Sequence, residues 1–147
     1  MASLGEFAHR IRLRGRDVEK GVNRIVRTVA LVVDREVVLG TPVDTGRARS
    51  NWIASLGSAV TDVRDPYSPG NKLGIGESNN AEAAMSQAKT IISTRKSGTD
   101  VYISNNVDYI GLLNDGSSAQ APAGFVQSAI KRGVNVVVQA EVLRGGD

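Results

Sequence analysis

Thr41-Pro42-Val43-Asp44-Thr45-Gly46-Arg47-Ala48-Arg49-Ser50-Asn51-Trp52 is the stretch on which the fold turns. Pro42 fixes its own φ and drives Thr41 into an extended conformation, so a helix arriving from the amino-terminal side has to stop here. Asp44-Thr45-Gly46 offers an Asx-type turn, with Gly46 free to adopt positive φ. Beyond it, Trp52 is a natural core anchor, and Trp52 to Val60 alternates loosely as a strand. The stretch therefore predicts a helix-to-strand junction.

On its amino-terminal side Val18, Val22, Ile25, Val26, Val29, Val32 and Val33 recur at three- and four-residue steps. That period predicts a long amphipathic helix from about Val18 to Leu39, with Gly40 as its stop, even though valine has little intrinsic helix preference. Residues 1–17 are expected to form a basic, flexible or arm-like lead. On the carboxyl-terminal side, 62–76 has the Pro, Gly and Asn content of a long loop. Ser78 to Lys96 reads as a second helix ended by Gly98, and Thr99 to Asn105 as a second strand. Asp108 to Leu113 reads as a short helix with Tyr109 and Leu112 or Leu113 facing inward, Ser117 to Gly124 as a small-residue loop, and Phe125 to Leu143 as a closing helix. Gly133 in that last helix costs about 1 kcal/mol against Ala. Helices and strands do not alternate strictly, so the expected class is α+β. One domain over 1–147 carries a long first helix, a small antiparallel sheet, and the second and closing helices packed on it.

The composition narrows the chemistry. The 147 residues are 41% hydrophobic, 22% charged and only 4% aromatic, so an aliphatic core is expected, with modest stability for the isolated subunit or stability that partly depends on oligomerisation. The chain has no cysteine, which removes disulfides, thiolate metal sites and cysteine nucleophiles. His9 is the only histidine, no serine sits in a Gly-x-Ser-x-Gly elbow, and Leu73-Gly74-Ile75-Gly76 lacks the third glycine and the flanking strand and helix of a dinucleotide fingerprint. Neither Asp62 with Asp65 nor Asp108 with Asp115 has a spacing that selects a hydrolytic pair. No enzyme activity, cofactor or metal is expected. No apolar run reaches the length of a membrane span and the start lacks the pattern of a secretory signal, so no membrane partner is expected and an intracellular origin is. The net charge of +3 is concentrated early, at Arg10, Arg12, Arg14, Arg16, Arg24 and Arg27. Interleaved Asp17, Glu19, Asp34 and Glu36 favour a solvated helix face over a nucleic-acid surface.

A long amino-terminal helix followed by the Thr41–Trp52 sequence and a strand resembles the neck and tail-completion proteins of tailed bacteriophages, often described as minor tail components. A second feature lies where that family has one: the strand Val101 to Asn105, then Asn106-Val107-Asp108-Tyr109-Ile110, a Gly-Ser-rich turn after Leu112-Leu113, and a helix opening Gly124-Phe125-Val126. The resemblance spans about residues 20–143. It implies a structural virion protein, put together in the host cytoplasm, that forms a ring at the head-to-tail junction. Such a ring, with six copies expected, joins the portal-side connector or head-closure protein to the tail terminator or tail tube, and lets double-stranded DNA through its lumen without sequence-specific binding. A terminator capping the tail tube is the alternative within the same machine, and a basic nucleic-acid-binding domain is the more distant one. Candidate contacts between subunits or rings are Arg47 and Arg49, set beyond a rigid turn to meet acidic groups of a neighbour, Tyr67 and Lys72 in the 62–76 loop, and Ser117 and Gln120 in the 117–124 loop.

Overall fold

The computed structural model describes residues 3–43, 46–69 and 77–144, with the side chains of 77 and 141–144 left aside. In chain order it contains α1 (Leu4–Gly40), α2 (Arg47–Ser50), β1 (Ile53–Leu56), α3 (Glu77–Ser93), β2 (Val101–Ser104), α4 (Ile110–Asn114) and α5 (Phe125–Arg144). The fold is α+β, with helices packed on a two-stranded antiparallel ribbon in which Ile53 faces Ser104 and Leu56 faces Val101.

The first helix begins at Leu4 and not at Val18. Ser3-Leu4-Gly5-Glu6 is a capping box: the Glu6 amide donates to Ser3 Oγ at 3.2 Å, and the Ser3 amide donates to Glu6 Oε2 at 2.7 Å. That Ser-x-x-Glu signal was present in the sequence. The basic segment expected as a flexible lead is thus the first half of an unbroken 37-residue helix, about 55 Å long at 1.5 Å per residue.

Only the second half of α1 meets the body. Val37, Val38, Trp52, Ala81, Ala84, Ala121, Phe125 and Ala129 make the main buried cluster, and Ala30, Ala54, Ala88 and Ile92 a second. Apart from Trp52 and Phe125 these side chains are small or aliphatic, so helices come close. At the α1–α5 contact a Cβ on Gly133 would stand 2.8 Å from Val33 Cγ2 and 3.1 Å from the Val33 amide nitrogen. The helix-weakening glycine is there because α1 leaves no room for a side chain.

A two-stranded ribbon is marginal by itself. Here α3 closes its edge: Gln87 Oε1 accepts from the Ala54 amide at 3.0 Å, and Gln87 Nε2 donates to the Ala54 carbonyl at 2.9 Å. A side-chain carboxamide replaces a third strand and satisfies both backbone groups of an edge residue. The same two-way pairing recurs between Asn51 and the Arg64 backbone, Asn80 and the Ser68 backbone, and Gln120 and the Val43 backbone. Extended segments that belong to no sheet are held in this way.

Candidate functional site

The carboxyl end of α1 exposes carbonyls that no further helical turn can satisfy. The Thr41–Trp52 stretch supplies the donors. Thr41 Oγ1 donates to the Val37 carbonyl at 2.6 Å and accepts from Trp52 Nε1 at 2.7 Å. Arg49 Nη2 donates to the Leu39 carbonyl at 3.2 Å and the Thr41 carbonyl at 2.9 Å. A guanidinium at a helix carboxyl end also meets the negative pole of the helix. Gly40 is not the stop expected of it: it remains helical, without positive φ, and Thr41 leaves the helix in an extended conformation at φ −71°.

Gly46 does take positive φ, +80°, and opens α2. A Cβ there would lie 2.2 Å from Asn80 Nδ2. Asn80 fills that space because it gathers three partners: Ser50 Oγ donates to its Oδ1 at 2.9 Å, the Ser68 amide donates to the same oxygen at 2.7 Å, and its Nδ2 donates to the Ser68 carbonyl at 2.8 Å. Asp44 and Thr45, the rest of the expected Asx-type turn, lie outside the described residues.

A cleft of about 720 Å³ opens against this corner, lined among others by Pro42, Val43, Arg47, Tyr109, Leu113 and Gln120. Of the six contact residues expected from sequence, Arg47, Ser117 and Gln120 line it together. Arg47 is exposed and already engaged within the chain. The carboxamide of Gln120 is paired with both the amide and carbonyl of Val43, each at 2.9 Å.

Arg49 is a correction. It is 6% exposed and occupied with the end of α1, so it does not face a neighbouring ring. The two arginines part because 47–50 is a turn of helix, in which residues two apart point some 200° apart around the axis. Read as an extended flank, the pair would have pointed the same way. Tyr67 sits on a different loop, 40% exposed, with Arg64 over its ring at 5.2 Å and donating to its hydroxyl. Lys72 lies outside the described residues. The 117–124 loop is not wholly peripheral either, since Ala121 belongs to the main buried cluster.

Sequence reasoning missed the apolar floor of the cleft, Val43, Ala48, Tyr109 and Leu113. Tyr109 and Leu113 read as inward-facing, and Leu113 does pack on the core, yet α4 buries no residue fully and Leu112 remains 62% exposed. Among the described residues no cluster of three or more His, Cys, Asp or Glu side chains could hold a metal ion, and no helix is long and apolar enough to cross a membrane. Comparison with known protein families, with curated proteins and with solved structures returned no match.

Proposed function

We propose that this chain is a non-enzymatic structural subunit that assembles with copies of itself into a ring at the head-to-tail junction of a tailed bacteriophage. The phage assignment rests on the resemblance carried by the long first helix, the Thr41–Trp52 corner and the Tyr109 region. The observation that supports self-assembly is the amino-terminal half of α1. From Leu4 to Lys20 every residue but Ala8 is exposed, including Leu4, Phe7, Ile11, Leu13 and Val18. Apolar exposure on this scale marks an interaction surface. A head-to-tail ring gives it a cover by using two different surfaces of each copy.

The test has two parts. Native mass spectrometry and electron microscopy of the full chain should find closed rings of one stoichiometry, with six copies expected. Added to heads and tails that lack it, the protein should restore their joining. Binding to tail tubes alone would favour the terminator role. A monomer with strong, salt-dependent affinity for free double-stranded DNA would replace the reading with a nucleic-acid-binding one.

A further inference from the structure

The exposed half of α1 is patterned. Leu4, Phe7, Ile11 and Val18 are 86%, 57%, 52% and 66% exposed and fall on one stripe of the helix at three-, four- and seven-residue steps. Arg10 and Arg14 run along the edge of that stripe, three residues after Phe7 and Ile11. Between Leu4 and Lys20 the bases Arg10, Arg12, Arg14, Arg16 and Lys20 outnumber the acids Glu6, Asp17 and Glu19. This segment is a basic amphipathic helix with no cover inside its own copy.

The opposite composition occurs in the stretch that carries β2 and α4. From Ser97 to Ile130 there is no Lys, Arg or His, while Asp100, Asp108 and Asp115 are all exposed. Two of these bracket α4: Asp108 precedes Tyr109 and Asp115 follows Asn114. Tyr109 and Leu113 line the 720 Å³ cleft, and Leu112 stands exposed on α4 beside them. Beside the cleft, α4 exposes Leu112 between Asp108 and Asp115 at its two ends, the complement of the stripe and its arginines, while Arg47, the charged side chain among the described residues that line the cleft, is already engaged within the chain.

Geometry decides whose helix it takes. The cleft includes Pro42 and Val43, just past the carboxyl end of α1, while Leu4 lies at the amino end of the same unbroken helix, about 55 Å away. No copy can bring its own arm to its own cleft. Arm against arm is disfavoured too, because the central Arg10–Arg16 cluster of one would face that of the other in either direction.

We infer that the arm Leu4–Lys20 of one copy docks in the Pro42–Gln120 cleft of the next, its Phe7 and Ile11 on Tyr109, Leu112 and Leu113, and its Arg10 and Arg14 against Asp108 and Asp115. The two surfaces differ and lie at opposite ends, so the contact is head-to-tail and repeats around a closed ring. This deepens the ring reading above and rests on it.

The test uses the full chain and two variants at exposed positions. Ile11→Asp disables the arm, and Asp108→Arg with Asp115→Arg disables the cleft. Each alone should be monomeric by native mass spectrometry with an unchanged Tm. Mixed in equal amounts they should form a one-to-one heterodimer and nothing larger, because one working joint survives. Assembly of the cleft variant as well as the wild type would overturn the docking site while leaving the ring reading standing. A wild type that is monomeric at every concentration would overturn both. The absence of cysteine permits a second measurement. Oxidation of a chain carrying Ile11→Cys and Ser118→Cys should give a ladder of covalent multimers. Equal yields of dimer from Ile11→Cys alone would instead show arms pairing with arms.

Discussion

Asp34 is 1% exposed on the inner side of α1, and its Oδ1 has no hydrogen-bond partner among the described residues. Burial pushes its carboxyl up to about 7 from the ordinary 3.8. The folded chain then holds a proton that the unfolded chain gives up between those two values. Its contribution to stability is therefore greatest below pH 4 and is lost as pH rises to 7, by up to about 1.4 kcal/mol for each unit in that window. Asp34→Asn keeps the shape and removes the titration. Urea midpoints at pH 5 and pH 8 should differ less for the variant than for the wild type, and the variant should be the more stable by a few kcal/mol at pH 8. Parallel pH profiles would mean that the carboxylate is solvated in the folded chain.

Gly46 makes a second case at this scale. Alanine would have to adopt φ +80° and place its Cβ 2.2 Å from Asn80 Nδ2. The backbone alone costs about 1–2 kcal/mol, and displacing Asn80 loosens Ser50 and Ser68 with it. Gly46→Ala should lower the unfolding free energy by about 2–4 kcal/mol in a denaturant titration. No measurable loss would show that the Asn80 carboxamide does not occupy that space. Much of this was legible: Pro42, Gly46 and Trp52 announce a corner by residue type. The Asn80 contact was not, because the partner lies thirty-odd positions away and an asparagine in a helix carries no mark of what it touches.

Among the elements, α1 and α5 put intrinsic preference against packing. Replacing a helical glycine by alanine ordinarily gains about 1 kcal/mol. At Gly133 the new methyl meets the Val33 backbone, and overpacking of that kind costs about 1–3 kcal/mol. Gly133→Ala should therefore destabilise the protein on balance, whereas Gly21→Ala, with nothing within 4 Å of its Cβ, should be neutral or stabilising. Thermal unfolding of the two variants side by side checks the sign, and a stabilised Gly133→Ala would mean the two helices can move apart freely. Apolar periodicity identified α1 and α5 as helices, and end signals with an Ala-rich body identified α3. The periodicity placed the start of α1 fourteen residues late because Arg10, Arg12, Arg14 and Arg16 interrupt the apolar pattern, while the Ser3–Glu6 capping box that sets the true start is a local signal independent of burial. Helix α2 escaped notice since four residues are too few to show a period.

Across the whole molecule, the core contacts of α1 lie in its second half and the surface proposed for assembly in its first. The arm buries no residue in its own copy, so deleting residues 4–20 should leave the Tm within about 2 °C of the full chain while abolishing oligomers in native mass spectra. A large drop in Tm would mean that the arm contributes to the monomer's core. The proposed docking contact would pair arginines with aspartates, so assembly should weaken as salt rises through the range where the screening length falls from about 10 to 3 Å. Complete indifference to salt would leave the apolar stripe alone as the cause.

The sequence by itself determined what depends on neighbours along the chain: helical period, the corner at Pro42, the glycine at 46 and the uneven spread of charge. Only the tertiary structure decided which polar side chains are available to a partner. Arg47 and Arg49 are nearly indistinguishable in sequence, yet one lies on the surface and the other closes the end of α1, because a single helical turn points them apart and unsatisfied carbonyls attract the inner one. Likewise nothing in the sequence marks Gln120, which stays exposed, or the half-buried Gln87 as the partner of extended backbone that has no strand beside it. Burial of a polar group is settled by which backbone atoms lack partners nearby, and those are brought together only when the chain is folded.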